Sequence, residues 1–289
     1  MKKTTFVAIW ALSALMAMPV LAQTKPEPYM TQPPFTGTKE SRQGGAAYKN
    51  IYFQLHNANP LIEIFNLKTK QKIQEIRLTP EKVIHCNNAN FGPYKMKGDK
   101  FPLLYISSER DQRIDVYRVQ ENGGVYSVKK IQTIKLPDKD VASQYFTNLI
   151  LDNKNKTVWI TGYTRNFWNK ADDGNQLRYI QLRLPKPEDG DVSLSYEDRV
   201  SEFYLPFYIA TQGAFLHKGK IHQAFGIARG NDNIFRVINP HTGTIEQEYT
   251  MYGVDVHEEP EAAIFYKGKP MVITVRGNHY WVKDFKRVK

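Results

Sequence analysis

Gln212-Gly213-Ala214-Phe215 is a short polar head leading into a strand-like run, and the chain uses the same device at four other places. The counterparts are Gln43-Gly44-Gly45-Ala46-Ala47, Asn87-Asn88-Ala89-Asn90-Phe91, Thr147-Asn148-Leu149-Ile150 and Glu261-Ala262-Ala263-Ile264. Each is followed, across a turn, by two or three further β-type runs. A period of roughly 50 residues made only of strands is what propeller blades produce. The expected fold is all-β: a five-bladed β-propeller in which the first strand of every blade lines a central channel.

Working outward, the first blade reads as residues 45–49, 51–55, 61–67 and 72–78. The second reads as 88–91, 103–107, 113–119 and 128–136, with Gly123-Gly124 punctuating its outer hairpin. The third covers 147–151, 157–162, 177–184 and 199–205, and the fourth covers 213–216, 220–226, 233–238 and 244–251. The fifth covers 262–266, 270–275 and 279–285 and lacks an outermost strand. An unpaired edge invites aggregation, so residues 29–38 are expected to supply or cover it. Merging or splitting the long second and third blades gives four or six blades instead. No amphipathic helical period of any length interrupts the β pattern, which argues against α/β alternatives.

Residues 1–22 read as a cleaved export signal: Lys2 and Lys3 at the head, an apolar run from Phe6 to Met18, and Val20-Leu21-Ala22 at the cleavage site. The apolar run is too short to span a bilayer comfortably. Residues 23–41, with Pro26, Pro28, Pro33 and Pro34, form an extended leader, and 42–289 form the propeller domain. A periplasmic or secreted location follows. Cys86 is the single cysteine, which rules out an internal disulfide and reads as a buried small apolar group. Net charge is +11, falling to +9 once Lys2 and Lys3 leave. That balance suits an anionic partner such as an acidic glycan or another cell-envelope component. The chain carries no nucleic-acid module, and a monomer is expected.

In a propeller, the loops leading into the first strands and those joining second to third strands share one face. Gln43, Asn88, Asn148, Gln212 and Glu261 would floor a pocket there, with Arg165, Trp168, Arg229 and Arg276 at its rim. Trp168 beside Arg165 offers a face on which a sugar can stack. The same amides equally serve to satisfy the inner-strand backbone or to hold water. Asp255-Val256-His257-Glu258-Glu259-Pro260-Glu261 is the sharpest local cluster. Crowded carboxylates raise one another's pKa, which makes Glu261 the candidate general acid or base. Calcium would suit these oxygens better than zinc. No paired-histidine spacing accompanies them, so no metal is assigned. No Ser-His-Asp arrangement or phosphate-cradling glycine loop is present in the sequence either.

Thr211-Gln212-Gly213-Ala214-Phe215, Gly219-Lys220-Ile221, Gly226, Phe235-Arg236-Val237-Ile238-Asn239 and Thr242-Gly243 together form a blade pattern. It resembles the glutaminyl-cyclotransferase-like five-bladed propellers and the helveticin-type secreted propellers, with Glu259-Pro260-Glu261-Ala262 a fainter echo. The resemblance implies the fold. The cyclotransferase family would also imply cyclisation of an N-terminal glutamine by a carboxylate in an aromatic-lined channel. Here the inner strands offer Gln43, Asn148 and Gln212 where an acid would be expected, so that activity is not carried over.

The function expected from sequence is an exported propeller binding a polar or anionic ligand, a glycan or envelope component, at the channel mouth. One alternative is an enzyme (lyase, hydrolase or cyclotransferase) using Glu261. Another is a protein-interaction scaffold working through its outer or bottom face, a reading that gains if the mouth residues are paired with one another and closed to solvent.

Overall fold

The computed structural model describes residues 25–34, 42–57, 61–78, 85–109, 111–137, 145–165, 174–208, 210–227, 233–255 and 257–289, the side chains of 145–147 excepted. The export signal, Trp168 and Arg229 lie outside the described residues. Among the described residues, no helix is long and apolar enough to cross a membrane.

After β1 (Met30–Thr31), the first blade is β2 (Arg42–Tyr48), β3 (Ile51–His56), β4 (Leu61–Asn66) and β5 (Gln71–Arg77). The second is β6 (Ala89–Phe91), β7 (Leu104–Ser108), β8 (Arg113–Asn122) and β9 (Val125–Lys135). The third is β10 (Tyr145–Asp152), β11 (Thr157–Tyr163), β12 (Gln176–Arg183) and β14 (Arg199–Pro206), interrupted by the short β13 (Val192–Ser193). The fourth is β15 (Thr211–His217), β16 (Lys220–Phe225), β17 (Ile234–Asn239) and β18 (Thr244–Thr250). The fifth is β19 (Pro260–Tyr266), β20 (Lys269–Thr274) and β21 (Asn278–Trp281), followed by β22 (Lys286–Arg287). The blade count is five, one for each polar head, and the four- and six-bladed alternatives fall away.

Five apolar clusters hold these sheets together, one between each pair of neighbouring blades. Consecutive residues of a strand face opposite sides of its sheet. In β3, Phe53 therefore packs toward the second blade and Tyr52 toward the fifth. Both faces of an inner blade strand are covered, which is why these runs read as nearly continuous apolar sequence. The outer strand β5 faces water along most of its length and is polar.

Two short pairings escaped the sequence pattern. β13 runs parallel to β9 and borders the second blade, and β22 runs antiparallel to β18 and borders the fourth. Two-residue segments have no readable period.

Ring closure depends on the segment before the first blade. β1 pairs antiparallel with β21, Met30 opposite His279, and gives the fifth blade its fourth strand. Met30 is buried among Tyr52, Phe65, Ile264 and Met271. Tyr29 packs on Trp281 with ring centroids 5.1 Å apart and donates to the Leu67 carbonyl at 2.8 Å. Behind the strand, Gln32 Nε2 lies 3.1 Å from Gln54 Oε1 and 2.9 Å from His279 Nε2. Arg42 donates to the Pro33 carbonyl at 2.6 Å and stands 3.6 Å from Glu63. Burial would raise the Glu63 pKa, but hydrogen bonds from His56 and Lys72 outweigh it and hold the carboxylate at about 2.

Met30→Ala removes the apolar anchor of this latch while leaving the two-residue ladder in place. We expect it to cost about 2 kcal/mol, the low end for burying and then deleting such a side chain. Urea unfolding measures it; a change within about 0.5 kcal/mol, the range of neutral surface substitutions, would mean that β1 does not close the ring.

Candidate functional site

The inner strands are edges of their sheets, so their outward backbone groups face the axis and need partners. Five such strands converge closely. A methyl group at Gly44 would stand 2.3 Å from the Asn87 carbonyl oxygen and 2.5 Å from Asn88 Cα. At the matching Gly213 it would stand 2.4 Å from Ala262 Cα. Only glycine permits backbone contact this close. Extra residues in β2, β10, β15 and β19 shift the register near their leading ends, between Arg42 and Gly45, Phe146 and Asn148, Thr211 and Ala214, and Pro260 and Ala262. Such bulges re-aim the side chains beside them.

The five expected floor residues all stand on these leading ends, and all are buried. Asn88 Nδ2 bridges the Leu149 carbonyl at 2.8 Å and the Ala214 carbonyl at 2.9 Å. One amide therefore ties the second blade to the third and fourth. Asn148 Nδ2 donates to the Gln212 carbonyl at 2.9 Å, and Gln212 Nε2 to the Gly226 carbonyl at 3.1 Å and Glu259 at 3.0 Å. Gln43 Nε2 lies 3.4 Å from Glu261 Oε1, and its oxygen lies 3.0 Å from His85 Nε2. The amide donors thus satisfy neighbouring strands, as the backbone-satisfying alternative foresees. Three oxygens are different: Asn88 Oδ1, Asn148 Oδ1 and Glu261 Oε2 are buried without a hydrogen-bond partner.

Glu261 is 2% exposed. Burial, and then the neighbouring Glu259, push its pKa well above the ordinary carboxylate range. The shift favours the protonated form, which can donate as well as accept a hydrogen bond.

The rim is less closely drawn. Arg165 and Arg276 are exposed. Arg276 Nη1 lies 3.5 Å from Asp255, and its backbone carbonyl accepts from Arg42. The acidic run does not converge on one point. Glu258 is bonded to Thr274 and Asn278, Asp255 to the His257 backbone, and Glu261 turns to Gln43. Among the described residues, no group of three or more His, Cys, Asp or Glu is arranged to hold a metal ion. Cys86 is buried, and burial, then the nearby Asp115, push its thiol up to about 12.

Sequence reasoning passed over Asn90 as a channel residue. It follows Asn88 by two, so it shares that side of β6, and it bonds both to the Ala214 carbonyl at 3.0 Å and to the Leu151 amide at 3.1 Å. The Asn-Ala-Asn alternation was the available signal. Together Asn88 and Asn90 stopper the channel midway. Beyond them the opposite end opens into a cavity of about 200 Å³, lined by the trailing ends of all five inner strands.

No protein-family model matches the chain, and no curated protein sequence does. Among solved structures, it is similar to the glutaminyl cyclase of Myxococcus xanthus, at 10% identity over 92% of this chain and 95% of that one, with a TM-score of 0.51. Identity this low shows the shared propeller fold and nothing of the activity. Matches to a polycomb repressive complex 2 of Chaetomium thermophilum (9% identity, 81% of this chain, 53% of that one, TM-score 0.41) and to the hydrazine synthase of Kuenenia stuttgartiensis (9%, 81%, 64%, 0.40) are weaker and carry no argument.

The raised Glu261 pKa has a stability consequence of definite sign. Below about pH 4.5, its ordinary value, folded and unfolded chains both hold the proton and its contribution is fully present. As pH rises, the unfolded chain releases the proton first, so stability falls by up to about 1.4 kcal/mol per pH unit until the folded acid also ionises. His279 and His222, lowered by burial to about 3 and 4, act oppositely: their contribution is lost as pH falls below 6.5. Glu261→Gln, neutral at every pH, should therefore gain stability over the parent as pH rises from about 5 to 8. Urea midpoints across that range test it; a constant difference would mean that Glu261 is ionised in the folded protein.

Proposed function

We propose that this chain is an exported β-propeller that binds a small hydrogen-bond-donating ligand where the inner strands begin, above Glu261. The observation that carries the reading is the set of three buried, unpartnered oxygens on leading ends of the inner strands: Glu261 Oε2, Asn88 Oδ1 and Asn148 Oδ1. Buried acceptors left without donors cost roughly 1–3 kcal/mol each, and a ligand bearing hydroxyl or amino groups would satisfy them. Gln43 and Gln212 would set the spacing of the floor, and Arg165 and Arg276 would form the rim.

Local charge at this end is mixed: Glu109, Glu258 and Glu259 lie there with Arg165 and Arg276, and Asn87 donates to Glu109 at 2.9 Å. A neutral glycan or an amine-bearing compound, able to donate to the open oxygens, fits this end better than a strongly anionic envelope component. The leading Lys2-Lys3 and apolar run support export.

The second reading is catalysis. A general acid near neutral pH needs a carboxyl whose pKa is raised, and burial raises that of Glu261.

The test is a thermal-shift screen of neutral sugars and amines on the full chain, then titration of the hits against Glu261→Gln and Asn148→Ala. Binding weakened roughly tenfold in both, equivalent to about 1.4 kcal/mol, is the expected result. Turnover lost in Glu261→Gln with affinity retained would establish the enzyme reading. Unchanged binding in both variants would contradict the placement of the site.

A further inference from the structure

The opposite end of the channel has its own chemistry. Its cavity of about 200 Å³ is lined by Tyr48, Phe91, Leu151, Phe215 and Phe265, with Asn90 at the inner end. Tyr48 and Phe91 pack with ring centroids 5.6 Å apart, and Phe215 and Phe265 with centroids 6.0 Å apart. Five blades thus converge on a small aromatic chamber. Its size lies below the roughly 300–1,000 Å³ of drug-sized pockets, so its occupant is about one ring.

The turns joining first to second strands surround this chamber, and they are basic. Lys49, Lys156, Lys218 and Lys267 occupy them in four different blades, and every one is exposed. Each also has left-handed backbone, with φ of 56°, 52°, 49° and 46°. Glycine, asparagine or aspartate normally takes such positions, because a longer side chain is strained there. Lysine recurring at four equivalent turns against that preference is the kind of local strain that accompanies function. In the second blade the longer connection carries Lys95 and Lys97, both exposed. Among the described residues, none of these six lysines is in an ion pair with a carboxylate. The one acidic side chain in the four turns, Asp152, is buried and bonded to Asn155 at 2.7 Å. Positive charge gathered at one mouth raises the local concentration of anions there.

We propose that this mouth binds a small aromatic acid: a single ring enters between the Tyr48–Phe91 and Phe215–Phe265 pairs, and its carboxylate or sulfonate stays outside among the lysines. Ring faces and edges supply the apolar contact, and the charge supplies orientation. The channel then carries two separate sites, divided by Asn88 and Asn90, with ligands of opposite character.

The probe is phenylacetate, titrated by calorimetry into the full chain, with phenylacetamide as the uncharged control of the same shape. Phenylacetate should bind more tightly than the amide, and more weakly as salt is raised. Combining Lys49→Glu, Lys218→Glu and Lys267→Glu should weaken phenylacetate roughly tenfold or more and leave the amide unchanged. Leu216→Glu, which sets a carboxylate in the half-buried chamber wall, should weaken both probes, the acid more than the amide. If the triple lysine variant fails to fold, the matching Lys→Gln set replaces it with the same expected direction. Equal binding of acid and amide, or acid binding that survives both sets of variants, would overturn the proposal. Loss of phenylacetate binding in Glu261→Gln would also overturn it, by placing the probe at the other end and leaving the reading of that end intact.

Discussion

Backbone contact at the propeller axis is the constraint on which the rest of the structure depends. Five inner strands meet so closely that Gly44 and Gly213 leave no room for a methyl group. The heads of the repeats are accordingly small, with alanine and glycine throughout Gly45-Ala46-Ala47 and Ala262-Ala263. Close approach brings the unpaired edges of these strands within reach of short amides. Asn88 can then cross from the second blade to the fourth. A wider ring would need water or longer side chains to satisfy the same carbonyls.

That narrowness divides the channel into two blind ends with different electrostatics. At the leading end, burial and then the neighbouring Glu259 raise the pKa of Glu261. At the trailing end, lysine turns ring an aromatic chamber. The net charge alone pointed toward anionic partners for the whole molecule. Its distribution along the axis differs between the two ends, which a sum over the chain conceals.

Much of the fold was legible because the repeat is written in both pattern and composition. The polar heads marked the inner strands, and the apolar runs marked the blades covered on both sides. The missing edge of the fifth blade pointed to the leader, where Met30–Thr31 lies. β13 and β22 were not legible, since their pairing is decided by tertiary contact rather than local period. Gln43, Asn88, Asn148, Gln212 and Glu261 were legible as channel residues. Their division between backbone satisfaction and unpartnered acceptors was not, because it depends on how far each amide stands from strands distant in sequence. The trailing chamber was hidden for a related reason. Phe91, Phe215 and Phe265 read as ordinary core residues until the blades bring them to one axis, and Lys-Gly at 218–219 and 267–268 read as plain turns.

The most direct test of a closed axis is the exchange rate of the Asn88 side-chain amide protons, assigned by NMR through its backbone connections. Bonded to the Leu149 and Ala214 carbonyls and shielded from water, they should exchange far more slowly than the exposed Asn122 amide in the same spectrum. Exchange as fast as that of Asn122 would mean that the strands do not meet around Asn88, and the division of the channel into two sites would not stand.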